Sequence, residues 1–470
     1  PTSGALGQAQ PYARRNQPVT TAVLGLNPSD RMRLAGIEER WRFYQGLQWS
    51  MPRDDGDPLI TANLSKMIIL KLATWMVGKG IDIKVSEALT DVTLPILKEV
   101  WKYNKQAAFL LEAAIMAGVT GDCFVLVTYE EPSSVELSLN PYTQGKIRLR
   151  LLGSHQAFPQ WDPRNREKLL KLRIITEEAD NRLPDIAPNS YGTVEGAHGR
   201  PIRRYIETYT ANEIEEGYEG EEKVTRQNAL GEIPLVHWPN LVFPNEFYGM
   251  SDLDGIIDLQ RELNQKLTDQ SDIVHIHAAP VTVITGAKSA GLKKGPRAMW
   301  AFTNANVKVS HLTSTNAIGD IQAYINFIMQ LIYDLSGVPE GSLGRIQPVS
   351  NTSAAALQMQ FGPLIEAVTR KAATMEAGLS KLCYFILRYD SLMNNRPLPV
   401  DICEECGGRI LEFPEVGEDG VTRINRECFI IDKQTMDFMA PEKVKMAWRR
   451  QFSFGEATTE LTFERIKRSE

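Results

Sequence analysis

Two amphipathic segments separated by a short basic segment constrain the fold of this chain more than any other feature. The first, residues 249–278, places leucine and isoleucine mostly on one stripe at helical spacing. The second, residues 316–336, repeats isoleucine at intervals of three and four residues. Each predicted helix has a single apolar side. A protein built on this pair must cover both stripes with further apolar surface.

The intervening segment, residues 279–315, is small and strongly basic. It contains β-type runs, PVTVIT and NVKVS, between glycine and proline residues. It has no aspartate or glutamate, although the whole chain carries a formal net charge of −6. Its five basic residues are Lys288, Lys293, Lys294, Arg297 and Lys308. A local positive charge in an acidic protein indicates a contact site for acidic protein surfaces or for nucleic-acid phosphates.

A third helical region follows an irregular segment. Residues 337–352 are rich in glycine, proline and small polar residues, which is typical of a loop. A long helix is predicted from about 353 to 389. Gly362 and Pro363 lie inside it, and proline removes one main-chain hydrogen bond of a helix, so a kink is predicted at this point.

The first half of the chain mixes helical and strand patterns. One helix is predicted from Asn63 to the glycines at 78 and 80, and another from Leu94 to Thr120. The run CFVLVTYE after Gly121 indicates a strand. Further strands are predicted at 146–152, 170–176, 203–210 and 233–238. The acidic stretch 207–222 is interpreted as a solvated loop.

Near the end of the chain, strands and turns are predicted over 391–436 and charged helix over 441–470. The sequence therefore predicts the α+β class. At 470 residues the chain is long enough for roughly two to four packed units. The longest apolar run of the first third, at 67–77, is too short to cross a bilayer. The polar N-terminus resembles no secretory signal, so we expect an intracellular protein with a mobile arm over 1–24.

The cysteines leave three interpretations open. Cys403 and Cys406 form the motif CEECGG, and Cys428 lies further along the chain. This resembles half of a zinc ribbon, with Asp401 or another carboxylate as a fourth ligand. Free cysteines beside a turn, or a redox pair, are the alternatives. An odd total of five cysteines does not indicate a disulfide framework.

Other chemistry is not indicated. The sequence contains no GxxxxGK[ST], GxGxxG, HExxH or GxSxG motif, which removes the common nucleotide-binding and hydrolase signatures. His275 and His277 are two residues apart near a helix end, a spacing that directs them to different sides. The acidic pairs Asp252–Asp254 and Glu404–Glu405 are interpreted as surface charge. No catalytic residue is predicted.

In order, these elements resemble the portal proteins of tailed double-stranded-DNA phages, over roughly residues 35–450. The resemblance rests on YQGLQW with NLSKMIILKLATWMVGKGIDIKV, on LLEAAIMAGVTGDCFVLVTYE, and on FYGMSDLDGIIDLQRELNQKLTDQSD. Its most specific part is IQAYINFIMQLIYDLSGVPEGSLG followed by NTSAAALQMQFGPLIEAVTRKA.

The resemblance implies a portal architecture and its domains. These are a mixed α/β wing, a two-helix stem, a small α/β clip, a long kinked helix and a helical crown. By position they would be a wing in two parts (25–248 and 353–436), stem helices (249–278 and 316–336), a clip (279–315), a tunnel loop (337–352) and the start of a crown (437–470).

The resemblance also implies a function and partners. The chain would be a non-enzymatic subunit of a ring, usually of twelve copies, at one capsid vertex of the virion, assembled in the host cytoplasm. Double-stranded DNA would pass through the ring during packaging and ejection. The ring would dock the terminase large subunit, contact the scaffold and major capsid proteins, and later join a head–tail adaptor protein. No membrane contact is expected, and no cofactor apart from the possible zinc.

Three sets of site residues follow from this mapping. The tunnel loop would present polar groups and one positive charge to DNA: Arg345, Gln347, Ser350, Asn351 and Thr352. An ordinary connecting loop without DNA contact is the alternative. The five basic residues of the predicted clip would contact partners or DNA. Neighbouring copies would cover the stem stripe: Leu263, Leu267, Ile321, Ile325, Ile328 and Ile332.

The competing hypothesis is a zinc-containing DNA-binding protein or nucleic-acid enzyme. It rests on the CEECGG motif and on the basic segment. Ring-shaped particles with a central hole would favour the portal, whereas particles that stay monomeric at every salt concentration would count against it.

Overall fold

The structure is a computed structural model that describes most of the chain. It covers residues 28–49, 59–134, 138, 145–179, 202–278, 281–285, 306–312, 317–344, 359–394, 398–402, 409–416, 422–429 and 445–448, without 79, 85–89 and 245. The predicted arm at 1–24 lies outside these residues. No helix among them combines the length and apolarity that a bilayer crossing requires.

The described residues form helices and strands that occur in runs along the chain. The helices are α1 (Pro28–Gln45), α2 (Leu64–Val77), α3 (Thr90–Tyr103), α4 (Gln106–Thr120), α5 (Ile257–Ala278), α6 (Ala317–Ser336) and α7 (Gly362–Asn394). The strands are β1 (Ile81–Lys84), β2 (Asp122–Glu130), β3 (Lys146–Leu152), β4 (Ala157–Asp162), β5 (Asn165–Ala179), β6 (Ile202–Tyr209), β7 (Glu213–Tyr218), β8 (Val224–Gln227), β9 (Leu235–Pro239), β10 (Val281–Thr285), β11 (Lys308–Leu312), β12 (Leu398–Ile402), β13 (Arg409–Val416), β14 (Thr422–Phe429) and β15 (Lys445–Trp448).

A three-stranded antiparallel sheet in the order β3-β2-β9 lies at the centre of the first half. Alternate residues of a strand point to opposite faces. Val125 and Val127 belong to a core shared with α2, α3, α4 and α7. Phe124 and Leu126 belong to a second core, formed with the five-stranded sheet β4-β5-β6-β7-β8. Both faces of β2 are therefore buried, which explains its nearly continuous apolar sequence.

Three helices of the second half of the chain, α5, α6 and α7, pack against helix α2 of the first half. α5 and α6 lie against α2 and the start of α7, and their isoleucines and leucines form one cluster. Strands β10 and β11 lie between α5 and α6 in the chain and pair antiparallel, with Val281 opposite Leu312 and Thr285 opposite Lys308. The remaining sheets are β12-β13-β14 and the pair β1-β15. The predicted mixture of helices and strands is confirmed.

Several predicted elements differ from the structure. The helix predicted over 94–120 is two helices, because Lys105 adopts a left-handed conformation with φ of 51° between α3 and α4. The acidic stretch 207–222 is not a solvated loop, since it contains β7 and the end of β6. Glu207 is buried there because it accepts a hydrogen bond from Arg150 at 2.6 Å and one from Tyr209 at 2.9 Å.

Two further differences concern the last third of the chain. The predicted helix over 441–470 is wrong for its described residues, because Lys445–Trp448 pairs antiparallel with Ile81–Lys84. A strand edge far away in sequence supplies hydrogen bonds that local helix propensity cannot anticipate. The long helix α7 begins at Gly362, after a turn at Phe361, so the two residues predicted to bend it lie in its first turn.

Candidate interaction surfaces and the junction segment

The segment that leads into α5, residues 249–254, joins the sheet region to the helices and is named here the junction segment. Its side chains are held by several elements. The Ser251 hydroxyl donates to the Val119 carbonyl oxygen at 2.7 Å, and the Leu253 N–H donates to Ser251 Oγ at 3.0 Å. Asp254 accepts a hydrogen bond from Arg40 of α1 at 2.9 Å. The start of α5 is thereby fixed to α1 and to the end of α4.

A buried ion pair fixes the junction segment to α7. The Lys371 ammonium donates to Asp252 Oδ2, and the two side chains are 4% and 7% exposed. Asn240 donates to the other carboxylate oxygen at 2.9 Å. Because removing one member of a buried pair leaves an uncompensated charge, this contact constrains the relative positions of α7 and α5 strongly.

Two glycines bring the main chains of the sheet region and the junction segment together. Gly121, between α4 and β2, has φ of +92°. A Cβ atom built on Gly121 would lie 2.5 Å from the Gly249 carbonyl oxygen, and one built on Gly249 would lie 2.5 Å from the Gly121 oxygen. Neither position can carry a side chain unless the backbone moves.

An aspartate and a line of aromatic rings support the same region. Asp122 Oδ1 accepts a hydrogen bond from the Gly249 N–H at 2.7 Å and lies 2.7 Å from His237 Nε2. The His237 ring stacks between Phe124, at 4.8 Å, and Phe247, at 4.5 Å between ring centroids. The loop before the junction segment is therefore packed against β2 and β9.

The interpretation of Asp252 as surface charge is wrong, because this carboxylate is buried, whereas Asp254 is partly exposed. Both carboxylates are ion-paired at the junction segment. One sequence signal could have found the buried pair. Lys371 occupies a position of the apolar stripe of α7 that includes Leu364 and Met375, and a lysine within such a stripe indicates a buried acidic partner.

The apolar stripe shared by α5 and α6 is covered within one subunit. Leu263 and Ile332 are 0% exposed, and Ile325 and Ile328 are 2% exposed. Leu267 and Ile321, also assigned to the stripe, are partly buried against the same cluster. The four fully buried side chains therefore do not need neighbouring copies to cover them, because α2 and the start of α7 supply the covering surface. A contact of Leu267 and Ile321 with a neighbouring copy stays a prediction.

A different face of α6 remains exposed. Tyr324, Phe327 and Leu335 are 44%, 56% and 64% exposed, and they recur at three- and four-residue spacing with half-buried Leu331 between them. We name these four residues the outer face of α6. An exposed apolar stripe of this kind is a candidate interaction site.

Most of the residues predicted for DNA and partner contact lie outside the described residues. These are Lys288, Lys293, Lys294, Arg297, Arg345, Gln347, Ser350, Asn351 and Thr352. Lys308 is exposed at the start of β11. Cys403 and Cys406 also lie outside, and Cys428 is on β14, where it pairs with Ile410. A zinc site therefore stays a prediction, as does the bending role of Gly362 and Pro363.

The described residues combine a mixed α/β body, a pair of helices with a two-stranded sheet between them in the chain, and an exposed apolar helix face, features that suit the class of structural subunits. Residues 30–400 match the family described as phage portal protein, SPP1 Gp6-like. The chain belongs to this family. It is accordingly a structural protein of the phage particle, not an enzyme, and its place is the portal vertex of the capsid.

Solved structures with a similar chain come from gene transfer agent particles. A chain from the neck of an empty particle is 11% identical, with 70% of this chain and 79% of that chain covered and a TM-score of 0.41. A chain from the virion of a native particle is 12% identical, with 68% and 76% covered and a TM-score of 0.39. No curated protein matches the chain by sequence.

Proposed function

We propose that this chain forms a closed ring at the portal vertex, through which double-stranded DNA enters and leaves the capsid. Membership of the portal family supports this role. The outer face of α6 is the observation that carries it. Once the inner stripe is buried within the subunit, this second apolar stripe is left for a partner, and a repeated head-to-tail contact with a copy of the chain can cover it and close a ring.

Within that ring, α5 and α6 would be the stem and strands β10 and β11 the base of the clip. The clip lysines and arginine would dock the terminase large subunit and later the head–tail adaptor protein. The body of the subunit would contact the scaffold and major capsid proteins. The ring would contain twelve copies. The tunnel-loop residues Arg345, Gln347, Ser350, Asn351 and Thr352 would face the DNA. Contacts to phosphate are independent of sequence, which suits a channel in which DNA must slide.

The ring proposal is tested by placing charge on the outer face. Phe327→Asp should convert rings into smaller species, because an unpaired carboxylate would enter the contact between subunits. Asn326→Asp, on an exposed polar position outside the outer face of the same helix, is the matched control. Light scattering coupled to size-exclusion chromatography and negative-stain images measure the assembly. Rings that persist in Phe327→Asp would refute the assigned interface, and a wild-type protein without rings would refute the channel.

The clip proposal is tested separately. Replacing Lys293, Lys294 and Arg297 with glutamine should lower the packaging yield in infected cells while ring formation persists. An unaltered yield would contradict the assignment of this segment to partner or DNA contact.

A further inference from the structure

A basic cleft is formed by residues of the segments 81–83 and 98–108. It has a volume of about 650 Å³ and is bounded by β1, the end of α3 and the start of α4. Its floor is apolar, because Trp101 and Ile81 are 3% and 5% exposed. Lys98, Lys102 and Lys105 stand at its rim and are exposed. This cleft therefore combines an apolar floor with a positively charged rim.

The charges of the cleft are unbalanced. Asp82 is the one carboxylate among the described residues that line it. Part of the positive charge has a local role, since cations near the end of α3 favourably oppose the partial negative charge of a helix C-terminus. This interaction with the helix C-terminus does not require three lysines around the same cleft. An anionic ligand would gain from all three.

The strand that borders the cleft has a free edge within the described part of the chain. There, β1 pairs with β15 along one edge in a two-stranded sheet. The Ile81 carbonyl oxygen on the other edge accepts a hydrogen bond from Gln106 Nε2 of α4 at 3.4 Å. Because main-chain groups of alternate residues point to the same edge, those of Ile81 and Ile83 face the cleft. The Ile81 carbonyl oxygen is already bonded to Gln106, so the Ile81 and Ile83 N–H groups and the Ile83 carbonyl oxygen are the edge groups that an added strand would use.

We propose that this cleft binds an extended acidic peptide of a partner protein, which adds as a strand to β1. The main chain of the peptide would hydrogen-bond to the free edge, its apolar side chains would contact the floor, and its carboxylates would pair with the three lysines. A strand edge above an apolar floor favours a peptide over nucleic acid, whose backbone offers no matching hydrogen bonds. This proposal does not depend on the ring or on the channel.

The test measures binding of a labelled probe to the full chain by fluorescence anisotropy. The probe is a ten-residue peptide with alternating valine and glutamate. Lys98→Gln with Lys102→Gln should weaken its binding by about 3- to 10-fold, since each exposed ion pair contributes modestly. Raising the salt concentration should weaken it as well. Lys168→Gln with Lys171→Gln, two exposed lysines on β5, is the matched control and should leave binding unchanged.

Three outcomes would overturn the proposal. The first is absence of binding, or equal binding by the cleft and control variants. The second is a peptide N-methylated at alternate residues that binds as tightly as the probe, because strand addition requires its N–H groups. The third is a single-stranded DNA oligonucleotide that binds in a lysine-dependent manner when the peptide does not, which would assign the cleft to nucleic acid. Circular dichroism of each variant establishes that it is folded.

Discussion

The ion pair between Lys371 and Asp252 offers the sharpest test of how the junction segment is held. Lys371→Met removes the cation and leaves a carboxylate that is 7% exposed, still bonded to Asn240 at 2.9 Å. In the native protein the Lys371 ammonium group, which is 4% exposed, donates to the Asp252 carboxylate. Asp252→Asn therefore leaves this ammonium group buried without its negative partner. Loss of one member of a buried pair costs about 3–5 kcal/mol. We expect Lys371→Met near the lower limit, because Asn240 still satisfies one carboxylate oxygen.

The double variant measures the coupling free energy between the two charges. Asp252→Asn with Lys371→Met has no buried charge at this place, so its loss of stability should be smaller than the sum of the single losses by at least about 1 kcal/mol. Urea unfolding followed by tryptophan fluorescence measures the free energy of unfolding. Each variant is measured in the Phe327→Asp background, so that assembly does not contribute to the transition.

Two results would refute this reasoning. Single variants that each lose less than about 1 kcal/mol would show that the pair is solvated and does not constrain α7. Losses that add without coupling would show that the two charges do not interact. Adding 1 M salt gives a further check, because a buried pair is screened far less than an exposed one.

The remaining predictions concern burial. Ile328→Ala should cost about 2–5 kcal/mol in the same assay, because Ile328 packs inside the subunit, and an unchanged free energy of unfolding would contradict this. Gly378→Ala should destabilise by about 1–3 kcal/mol in urea unfolding, because its Cβ would lie 1.8 Å from Trp238, whereas an alanine in an unobstructed helix would stabilise. Burial, and to a lesser extent Arg33, lowers the pKa of His155 from 6.5 to about 4. Since the unfolded chain binds this proton more tightly, stability should fall by about 1–3 kcal/mol between pH 6.5 and pH 4, and His155→Gln should reduce that slope.

Local patterns predicted the individual elements well where local interactions determine them. Helix α2 begins after Asn63, where the sequence pattern predicted its start, and the Asn63 side chain accepts a hydrogen bond from the Lys66 N–H at 3.0 Å. Strand β3 has the predicted bounds, 146–152. The break at Lys105 was missed because neither glycine nor proline marks it.

Long-range contacts explain the larger errors. The local sequence of 207–222 is typical of a loop because it is acidic. In the folded chain Glu207 is paired with Arg150, which is more than fifty residues away in sequence and could not be recognised as its partner. The stripe at Ile325 and Ile328 had the correct periodicity for a buried face. Periodicity does not say whether the covering surface belongs to the same chain, and here α2 provides it. The outer face of α6 could have been recognised as a second stripe of the same helix.

The close approach of Gly121 and Gly249 limits how this protein can be stabilised. Replacement of glycine by alanine commonly strengthens proteins by narrowing the freedom of the unfolded chain. That route is closed at both positions, because the methyl group of either alanine would collide with the carbonyl oxygen of the other glycine. A saturation library should therefore return only the native residue at two sites 128 positions apart, and changing both together would bring no relief.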